Sequence, residues 1–571
     1  MIVVEGRRDP ELVRLGREFF AVVHANDPFN ATMLGVSGFD DLVPDPGRER
    51  AASDARRIGI IEAAATAIDP TGLDEADQID RHVLLGLAAA ARSDLEHGSW
   101  EANASADGYG SPQGRAFMAV PAASLVDAPA VEGYLRRLDG LPEFFDALGR
   151  RYQQAATEGR RPTAVGVAQA VEQLHGHLAA PAEQDVFHRP TLPPDVDLPR
   201  VHARISATVA DAVRPAMARL AELLTDELAP VARDDSEVGL RFIPGGEAAY
   251  LAAVRRHTTT DLTPDAIHAV GHEVLAGLRE EWLELGGRVL GTTDVAATLD
   301  RLRDDPSLRF GSSSEIVEVV SAALDRAEAV RDQWFPAYGI GACTIEEIDP
   351  IEAGNAALAH YRPPAEDGSR PGAHYVLTVD PHERFAYEYE ALAFHESTPG
   401  HHLQIASAQT LRHLPDYRRF LDAEVCAYVE GWGLYSERLA DEMGLYTSNL
   451  ARLGMLSFDA LRACRLVVDT GMHHLGWSRQ QAIAFMWANT ATTRHNVVNE
   501  VNRYIAWPGQ ALAYLIGRRE IVRLRSEAEC ALGAAFDLRG FHGAVLSNGA
   551  VPLGVLEHIV GRWIAAEQSL A

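Results

Sequence analysis

Residues 395–402 read His-Glu-Ser-Thr-Pro-Gly-His-His and place three imidazoles and one carboxylate at the end of a predicted helix. In zinc hydrolases with an H-E-x-x-H motif, two histidines one helical turn apart bind the metal, and the adjacent glutamate acts on the attacking water. Here the second histidine comes later, because His401 and His402 follow His395 by six and seven positions. The stretch therefore predicts a lengthened form of this site, with Glu396 as the general base.

Two histidines compete for the place of the second ligand. At about 100° per residue, an ideal helix brings His402 back to the face of His395 and turns His401 away. Pro399 lacks an N–H donor and Gly400 tolerates unusual dihedrals, so a local bulge would bring His401 into the ligand position instead. A helix that ends at Pro399, with histidines that only cap or pack, is the alternative without a metal.

The residues before the motif predict where its helix begins. Asp380 is a suitable N-cap, Pro381 suits the first helical position, and Glu383 would complete a capping box. We therefore expect one continuous helix from Pro381 to Thr398. The segment directly before it, residues 372–379, alternates in the manner of a β-strand.

A third ligand is predicted from residues 428–437, which read Tyr-Val-Glu-Gly-Trp-Gly-Leu-Tyr-Ser-Glu. A catalytic zinc needs three protein ligands and one open position, and Glu430 is the candidate for the third ligand. Gly431 and Gly433 are costly inside a helix, so they predict a close contact with a neighbour such as the motif helix. Glu437 is expected to orient a ligand imidazole, and a solvated acidic face is the alternative.

Further polar residues are candidates for contacts with the substrate. Tyr504 and His495 would donate to the oxyanion of a tetrahedral intermediate, and Arg503 would bind a substrate carboxylate, although a structural ion pair is the alternative for Arg503. The strand residues His374 and Tyr375 would hold an extended substrate by backbone pairing.

A second pair of histidines offers a rival metal site. His268 and His272 are four residues apart on a predicted helix capped by Thr263 and Pro264, which is better helical geometry than that of the favoured motif. However, no second segment with a carboxylate accompanies them. Surface histidines on an amphipathic helix are the commoner explanation.

The composition of the 571 residues excludes several classes of function. A net charge of −29 disfavours nucleic-acid and anionic-membrane partners, which need basic surfaces, and favours a small diffusing substrate. The chain has no lysine, which excludes P-loop, pyridoxal, Schiff-base and Ser-Lys chemistry. Its four cysteines are scattered, and no stretch is apolar enough for a membrane span, so we expect a reduced, cytoplasmic protein.

Helical periodicity dominates the chain and predicts a mainly α protein with a small β-sheet near the active-site cleft. Helices are expected near residues 10–25, 50–68, 75–95, 130–158, 200–230, 246–257, 264–286 and 314–333. We expect one domain over residues 1–571 with two lobes, divided near the proline-rich residues 181–199. The oligomeric state stays open.

Several segments, taken in order, resemble the bacterial family called domain of unknown function 885. They are HTTTDLTPDAIHAVGHEV, YRPPAEDGSRPGAHYVLTVDP, ALAFHESTPGHHLQ, YVEGWGLYSERLA, RYIAWPGQALAYLIG and VPLGVLEHIV. The resemblance covers nearly the whole chain. It implies a large helical fold of the gluzincin type, found in zinc peptidases of the H-E-x-x-H superfamily.

Better understood peptidases imply roles for single residues. Thimet-oligopeptidase-like enzymes carry H-E-x-G-H, and dipeptidyl-peptidase-III-like enzymes have one more residue before the G-H. By this resemblance Gly400-His401 matches the G-H, so His401 becomes the second ligand, and Tyr428-Val429-Glu430 is similar to the oligopeptidase F-V-E. The set His495, Arg503, Tyr504 and Gln510 resembles one in angiotensin-converting-enzyme-like peptidases.

The sequence thus predicts a zinc metallopeptidase that cleaves a peptide or peptide-like amide bond. Zn²⁺ would be held by His395, His401 and Glu430, and a zinc-activated water would attack with Glu396 as base. A hydrolase of a non-peptide amide or natural-product intermediate would use the same site. A non-catalytic binding protein that retains the fold is a third hypothesis.

Overall fold

The structure is a computed structural model and describes residues 8–348, 350, 353, 357–366 and 368–570. It is mainly helical, with 72% helix and 3% strand, as the sequence predicts. No helix in these ranges is both long and apolar enough to cross a membrane.

The α-helices of the described residues follow one another with short 3-10 and π-helical turns between them. They are α1 Pro10–Asn26, α2 Pro28–Leu34, α3 Arg48–Ala67, α4 Glu75–His97, α5 Pro112–Ala119, α6 Ala128–Thr157, α7 Ala164–Ala179, α8 Leu198–Thr208, α9 Arg214–Leu223, α10 Gly246–Thr258, α11 Pro264–Leu290, α12 Val295–Asp304, α13 Ser313–Trp334, α14 Tyr389–Glu396, α15 Ser407–Thr410, α16 Asp416–Arg419, α17 Cys426–Glu442, α18 Asn449–Thr470, α19 Arg479–Asn489, α20 Arg494–Ala506, α21 Ala513–Leu532, α22 Leu538–Leu546 and α23 Leu553–Leu570.

Most of the predicted helices are confirmed to within a few residues, since their boundaries are set by local capping. The helix expected at 264–286 is α11, and the side chain of its N-cap Thr263 accepts a hydrogen bond from the amide of Ala266. The segment 200–230 is interrupted by π-helical turns at Val209–Val213 and Leu224–Leu228.

The helix that carries the motif begins later than predicted. Asp380 adopts a left-handed conformation with φ of 53° and makes no capping hydrogen bond, so the expected continuous helix from Pro381 is wrong. The cause lies in pairing with another segment: Phe385 forms an isolated antiparallel bridge with Arg309, which holds the backbone extended there. Helix α14 starts only at Tyr389.

A three-stranded sheet stands beside α14. Its strands are β1 Thr344–Glu347, β2 Ala359–Arg362 and β3 Ala373–Val376, in the order β1-β3-β2. Strand β3 runs parallel to β1 and antiparallel to β2, and it confirms the centre of the predicted strand at 372–379.

The helices behind the motif form its rigid support. Helix α18 is buried along most of its length, and so is α17, apart from Glu430, Arg438 and its last two residues. The proline-rich residues 181–199 connect helices that share one hydrophobic cluster, since Leu174 before the stretch and Val201 after it both belong to that cluster. The division into two lobes stays a prediction.

Candidate metal centre

The chain breaks sharply between the two histidines of the motif. Helix α14 ends at Glu396, a turn covers residues 397–400, and a π-helical turn begins at His402. Gly400 fits this turn because a Cβ atom there would lie 1.9 Å from the carbonyl oxygen of His395. The connection is therefore a turn between two helical segments, and the prediction of a bulge inside one helix is wrong.

Helix α17 holds this turn in place. The indole Nε1 of Trp432 donates a hydrogen bond of 2.9 Å to the carbonyl oxygen of Pro399. The hydroxyl of Ser436 donates to the same oxygen over 3.2 Å. All three residues are buried or nearly so. The path of the chain between the two histidines is thus fixed by the helix that also carries Glu430.

Three side chains converge where the turn meets α17. Atom Oε2 of Glu430 lies 3.5 Å from Nε2 of His395 and 3.4 Å from Nε2 of His401. One ligand atom from each of the three lies within 4.8 Å of the others, and no other such group of three or more His, Cys, Asp or Glu occurs among the described residues. Two imidazoles and one carboxylate are a ligand set that catalytic zinc uses.

His402 points elsewhere and serves the structure. Its Nδ1 lies 3.0 Å from the hydroxyl of Tyr361, and its Nε2 lies 2.9 Å from the carbonyl oxygen of Gly341. Burial lowers the pKa of His402, so the ring is neutral and joins the sheet to the turn. Of the two histidines left open by the motif, the structure groups His401 with His395 and Glu430.

The orientation of His395 is fixed from behind by Glu437. Atom Nδ1 of His395 lies 2.8 Å from Oε1 of Glu437, which leaves Nε2 directed at Glu430. Burial acts to lower the pKa of His395, but the hydrogen bonds to Glu430 and Glu437 outweigh it and raise the pKa to about 9. This is the arrangement by which a carboxylate holds a metal-binding imidazole in place.

The two glycines of α17 face different neighbours. A Cβ atom on Gly433 would lie 2.7 Å from Cε1 of His395 and 3.0 Å from Cε1 of His401, so this glycine makes room for both imidazoles. A Cβ atom on Gly431 would instead lie 2.6 Å from the Cα atom of Gly517 in α21. The predicted close contact is confirmed for both glycines, but the neighbour is the motif for Gly433 and α21 for Gly431.

Glu396 opens onto a cavity of about 460 Å³ that the three converging residues also line. Its side chain is largely buried. The lining also includes polar residues that the sequence did not single out as a site, and they are Tyr109, Asp422, Arg462, Arg465 and Glu500. They come from separate parts of the chain, so no local pattern reveals them. Burial raises the pKa of Asp422 to about 7.

The tyrosine beside the cluster is Tyr514 and not Tyr504. The ring of Tyr514 stacks against His395 with centroids 6.2 Å apart, and it lines the cavity. The hydroxyl of Tyr504 is instead occupied, since it donates to Glu500 and accepts from Nε of Arg465 over 2.8 Å. The assignment of the oxyanion donor to Tyr504 is therefore corrected.

The other two residues predicted near Tyr504 have different positions. His495 is exposed, and its Nε2 lies 3.1 Å from the side-chain amide of Asn499 one helical turn away, so its predicted place in the site is wrong. Arg503 does line the cavity. It donates to Gln510 over 3.2 Å and to Glu500 over 3.4 Å.

The strand residues His374 and Tyr375 cannot pair with a substrate through their backbone. They lie in β3, the central strand, whose two edges already pair with β1 and β2. His374 is buried against Ser397, with 2.9 Å between Nδ1 and the hydroxyl, and burial lowers its pKa to about 3. The edge strand that lines the cavity is β2, so the predicted pairing at β3 is wrong.

The rival pair at His268 and His272 forms no such group. Their Nε2 atoms lie 3.3 Å apart, and Nδ1 of His268 lies 2.8 Å from the hydroxyl of Thr470. No carboxylate or cysteine completes a set of three ligands there within the described part of the chain.

Two solved structures resemble this chain along nearly its whole length. One is titled a "putative lipoprotein" from Colwellia psychrerythraea; it is 26% identical with a TM-score of 0.89, and the match covers 97% of this chain and 99% of that one. The other is titled a "putative lipoprotein of unknown function" from Shewanella oneidensis, and it is 18% identical with a TM-score of 0.71, covering 96% and 99%. The second likeness shows the fold alone.

No curated protein matches the chain. The family described as "Bacterial protein of unknown function (DUF885)" matches residues 28–560, as the order of the sequence segments predicts, and the chain belongs to this family.

Proposed function

We propose that the protein is a zinc-dependent hydrolase of the gluzincin type that cleaves a peptide or peptide-like amide bond. The observation that carries the proposal is the convergence of His395, His401 and Glu430 at the wall of a cavity that Glu396 also lines. The donor set suits zinc, since two nitrogens and one carboxylate oxygen leave a position open for reactants.

The electrostatics of the cluster keep its carboxylate in the charged form that a metal ligand needs. Burial acts to raise the pKa of Glu430, but hydrogen bonds from His395 and His401 outweigh it and hold the pKa well below its usual value. Glu430 therefore stays ionised. His395, His401 and Glu430 would hold the zinc ion, which would supply a Lewis acid to polarise the substrate carbonyl and lower the pKa of a water.

Glu396 is the proposed general base. It directly follows a proposed ligand in sequence, it is shielded from bulk water, and its carboxylate faces the cavity. It would take the proton of the attacking water and deliver it to the leaving nitrogen. Its negative charge acts on the neighbouring imidazole of His395, where it helps to raise the pKa.

Tyr514 is the proposed donor to the oxyanion. Burial raises the pKa of Tyr514 to about 12, so its hydroxyl remains protonated and can donate. Its ring packs beside His395, and the side chain of Gln510 contacts its hydroxyl at 3.4 Å. In acyl transfer, a hydrogen-bond donor placed at the developing negative charge stabilises the transition state and accounts for a large part of the rate enhancement.

The edge of β2 is the proposed place for an extended substrate. The carbonyl of Leu358 accepts from the amide of Leu377, so in this antiparallel ladder the backbone groups of His360 face β3. The backbone groups of Ala359 and Tyr361 then face outward, along the strand that lines the cavity. A peptide added there would gain main-chain hydrogen bonds.

The deciding experiment uses Glu396→Gln beside the wild-type protein. Both are purified without chelators and assayed for zinc by mass spectrometry and for hydrolysis of a panel of peptides and of non-peptide N-acyl amides. We expect about one zinc per chain in both proteins and a loss of rate of at least about 100-fold in the variant. The panel also separates a peptidase from another amide hydrolase.

Glu442→Gln is the matched control, since Glu442 lies on α17 and pairs with Arg525 at the surface. It should retain both the zinc and the rate. Wild-type turnover by Glu396→Gln, or a wild-type protein that takes up no zinc, would refute the proposal.

A further inference from the structure

Three arginines line the cavity that the proposed metal ligands also line. They are Arg462, Arg465 and Arg503. Positively charged groups that line one cavity repel one another, and this repulsion destabilises the fold unless negative charges offset it. Glu500 offsets part of this repulsion, because its Oε2 accepts hydrogen bonds from Arg465 over 2.7 Å and from Arg503 over 3.4 Å.

Among the described residues, the three arginines form ion pairs with only two carboxylates, those of Glu437 and Glu500. Burial acts to raise the pKa of Glu500, but Arg465 and Arg503 outweigh it and hold the pKa low, so it counts as one full negative charge. Arg462 approaches Glu437 at 3.3 Å, and Glu437 is shared with the imidazole of His395. Three guanidinium groups therefore share two directly paired carboxylates, and one of these also binds the imidazole of His395.

Each of the three arginines also has one buried nitrogen without a hydrogen-bond partner among the described residues. Nη1 of Arg465 is buried and makes no hydrogen bond with any described residue, and the same holds for Nε of Arg462 and Nε of Arg503. The side chain of Arg465 is only 6% exposed. A buried donor without an acceptor is costly, and a charged one more so. An anion in the cavity would remove this cost.

The ring of Tyr514 joins the arginines to the metal centre. The Cζ atom of Arg465 lies 4.1 Å from the ring centroid, and His395 stacks on the same ring. Arg465 and His395 both contact the ring of Tyr514. About three extended residues, each spanning at most about 3.6 Å, would therefore reach from one to the other. A single short substrate can contact both.

We propose that Arg462, Arg465 and Arg503 form a binding site for a carboxylate group of the substrate. This proposal deepens the proposed function and rests on it, because the ligand is a substrate only if the protein is a hydrolase. Binding of the carboxylate itself does not require hydrolysis. The carboxylate would be either the C-terminus of a short peptide or an acidic side chain next to the cleaved bond. Planar guanidinium groups match a carboxylate with paired hydrogen bonds.

The test measures binding by calorimetry to the Glu396→Gln protein, so that no probe is consumed. The three probes are N-acetyl-Ala-Ala, its C-terminal amide, and N-acetyl-Ala-Glu amide. We expect at least one carboxylate probe to bind about tenfold or more tightly than the neutral amide, as charge-assisted hydrogen bonds predict. The probe that gains shows whether the terminal or the side-chain carboxylate is recognised.

Two further substitutions in the same background assign the gain to the arginines. Arg465→Gln and Arg503→Gln should each reduce the preference for the carboxylate to less than about threefold. Arg503 is less deeply buried, with 21% of its side chain exposed, so its variant tests the proposal even if Arg465→Gln unfolds. Circular dichroism and thermal unfolding report whether each variant is folded.

Arg303→Gln is the matched control. Arg303 is equally buried, pairs with one carboxylate at Asp300, and lies 4.0 Å above the ring of Trp487, but it is remote from the cavity. It should keep the full preference. The proposal is overturned if the Glu396→Gln protein with all three arginines binds the three probes equally. It is also overturned if folded Arg465→Gln and Arg503→Gln proteins retain the preference, which would assign it to a bound metal.

These outcomes are separate from failure of the hydrolase. A protein that binds carboxylates through Arg465 and Arg503 but cleaves nothing would remove the enzymatic proposal and leave the anion site standing. A protein that hydrolyses peptide acids and peptide amides with the same KM, and binds both equally, would remove the anion site alone.

Discussion

The imidazole of His395 is held by Glu437, with 2.8 Å between Nδ1 and Oε1, although the two residues are 42 positions apart in the chain. The carboxylate of Glu437 is fully buried, and Arg462 is its other charged neighbour, at 3.3 Å. This contact decides which nitrogen of His395 faces Glu430.

Replacing Glu437 by Gln should weaken zinc binding without removing a ligand. The amide is a weaker acceptor and leaves Arg462 less well paired, and loss of such supporting contacts costs about 10–100-fold in metal affinity. Competition with a chromogenic chelator measures the change, and Glu442→Gln on the same helix should show none. Unchanged affinity in the Glu437 variant would mean that this carboxylate does not orient a ligand.

Adding one methyl group at Gly433 should also disturb the centre. In Gly433→Ala the new Cβ would press on the imidazoles of His395 and His401, both within 3.0 Å. We expect loss of zinc in a protein that remains folded by circular dichroism. Gly277→Ala is the control, because Gly277 lies inside α11 with nothing within 4 Å of its added Cβ. That variant should be stabilised by up to about 1 kcal/mol, since alanine favours helix over glycine.

The two adjacent histidines should behave differently when each is replaced by alanine. His401→Ala removes a proposed ligand and should abolish stoichiometric zinc binding. His402→Ala breaks the contacts to Tyr361 and Gly341 and should lower the thermal stability while zinc is retained. Zinc analysis combined with calorimetry distinguishes the two. The reverse pattern would assign the second ligand to His402, as ideal helical phasing suggests.

Glu388 should make the stability of the fold depend on pH. Burial raises the pKa of Glu388 to about 8, against an unfolded value near 4.3. Between these values the folded chain holds a proton that the unfolded chain has released, so stability falls as pH rises, by up to about 1.4 kcal/mol per pH unit.

Glu388→Gln should remove this loss, so its Tm should exceed that of the wild type by more at pH 8 than at pH 5. The neighbouring Glu390 offers the contrast, because it pairs with Arg326 at 2.8 Å. Glu390→Gln should lower the Tm at pH 8. If the two variants shift the Tm alike at both pH values, the protonated state of Glu388 in the fold is wrong.

The helices and the candidate Glu430 were predictable because they depend on local patterns, whereas the choice of His401 over His402 came from the resemblance to known peptidases. Capping residues and apolar spacing act within a few positions, and Glu430 stands beside glycines whose cost in a helix is itself a signal. The start of α14 was not predictable, since the pairing of Phe385 with Arg309 overrides a good capping sequence at Asp380.

The finer assignments in the cavity depend on contacts between distant segments. Both Tyr504 and Tyr514 are plausible donors by sequence, and only the binding of Tyr504 to Glu500 and Arg465 shows that its hydroxyl is occupied. Likewise, the central position of His374 follows from where β1 and β2 pair with β3. Asp422 reaches the cavity from a loop that carries no motif.

The hydrogen bond from Trp432 to the carbonyl oxygen of Pro399 suggests a sequence pattern for finding such centres in other proteins. A search for two histidines four residues apart selects His268 and His272 in this chain and passes over the pair that converges with Glu430. A pattern that joins histidines six apart to a glutamate followed two positions later by tryptophan would include both the ligands and the clamp on the turn. Trp432 is not one of the proposed ligands. In such a search, however, a tryptophan at this position would distinguish a metal centre with a supported turn from histidines that are six residues apart by chance.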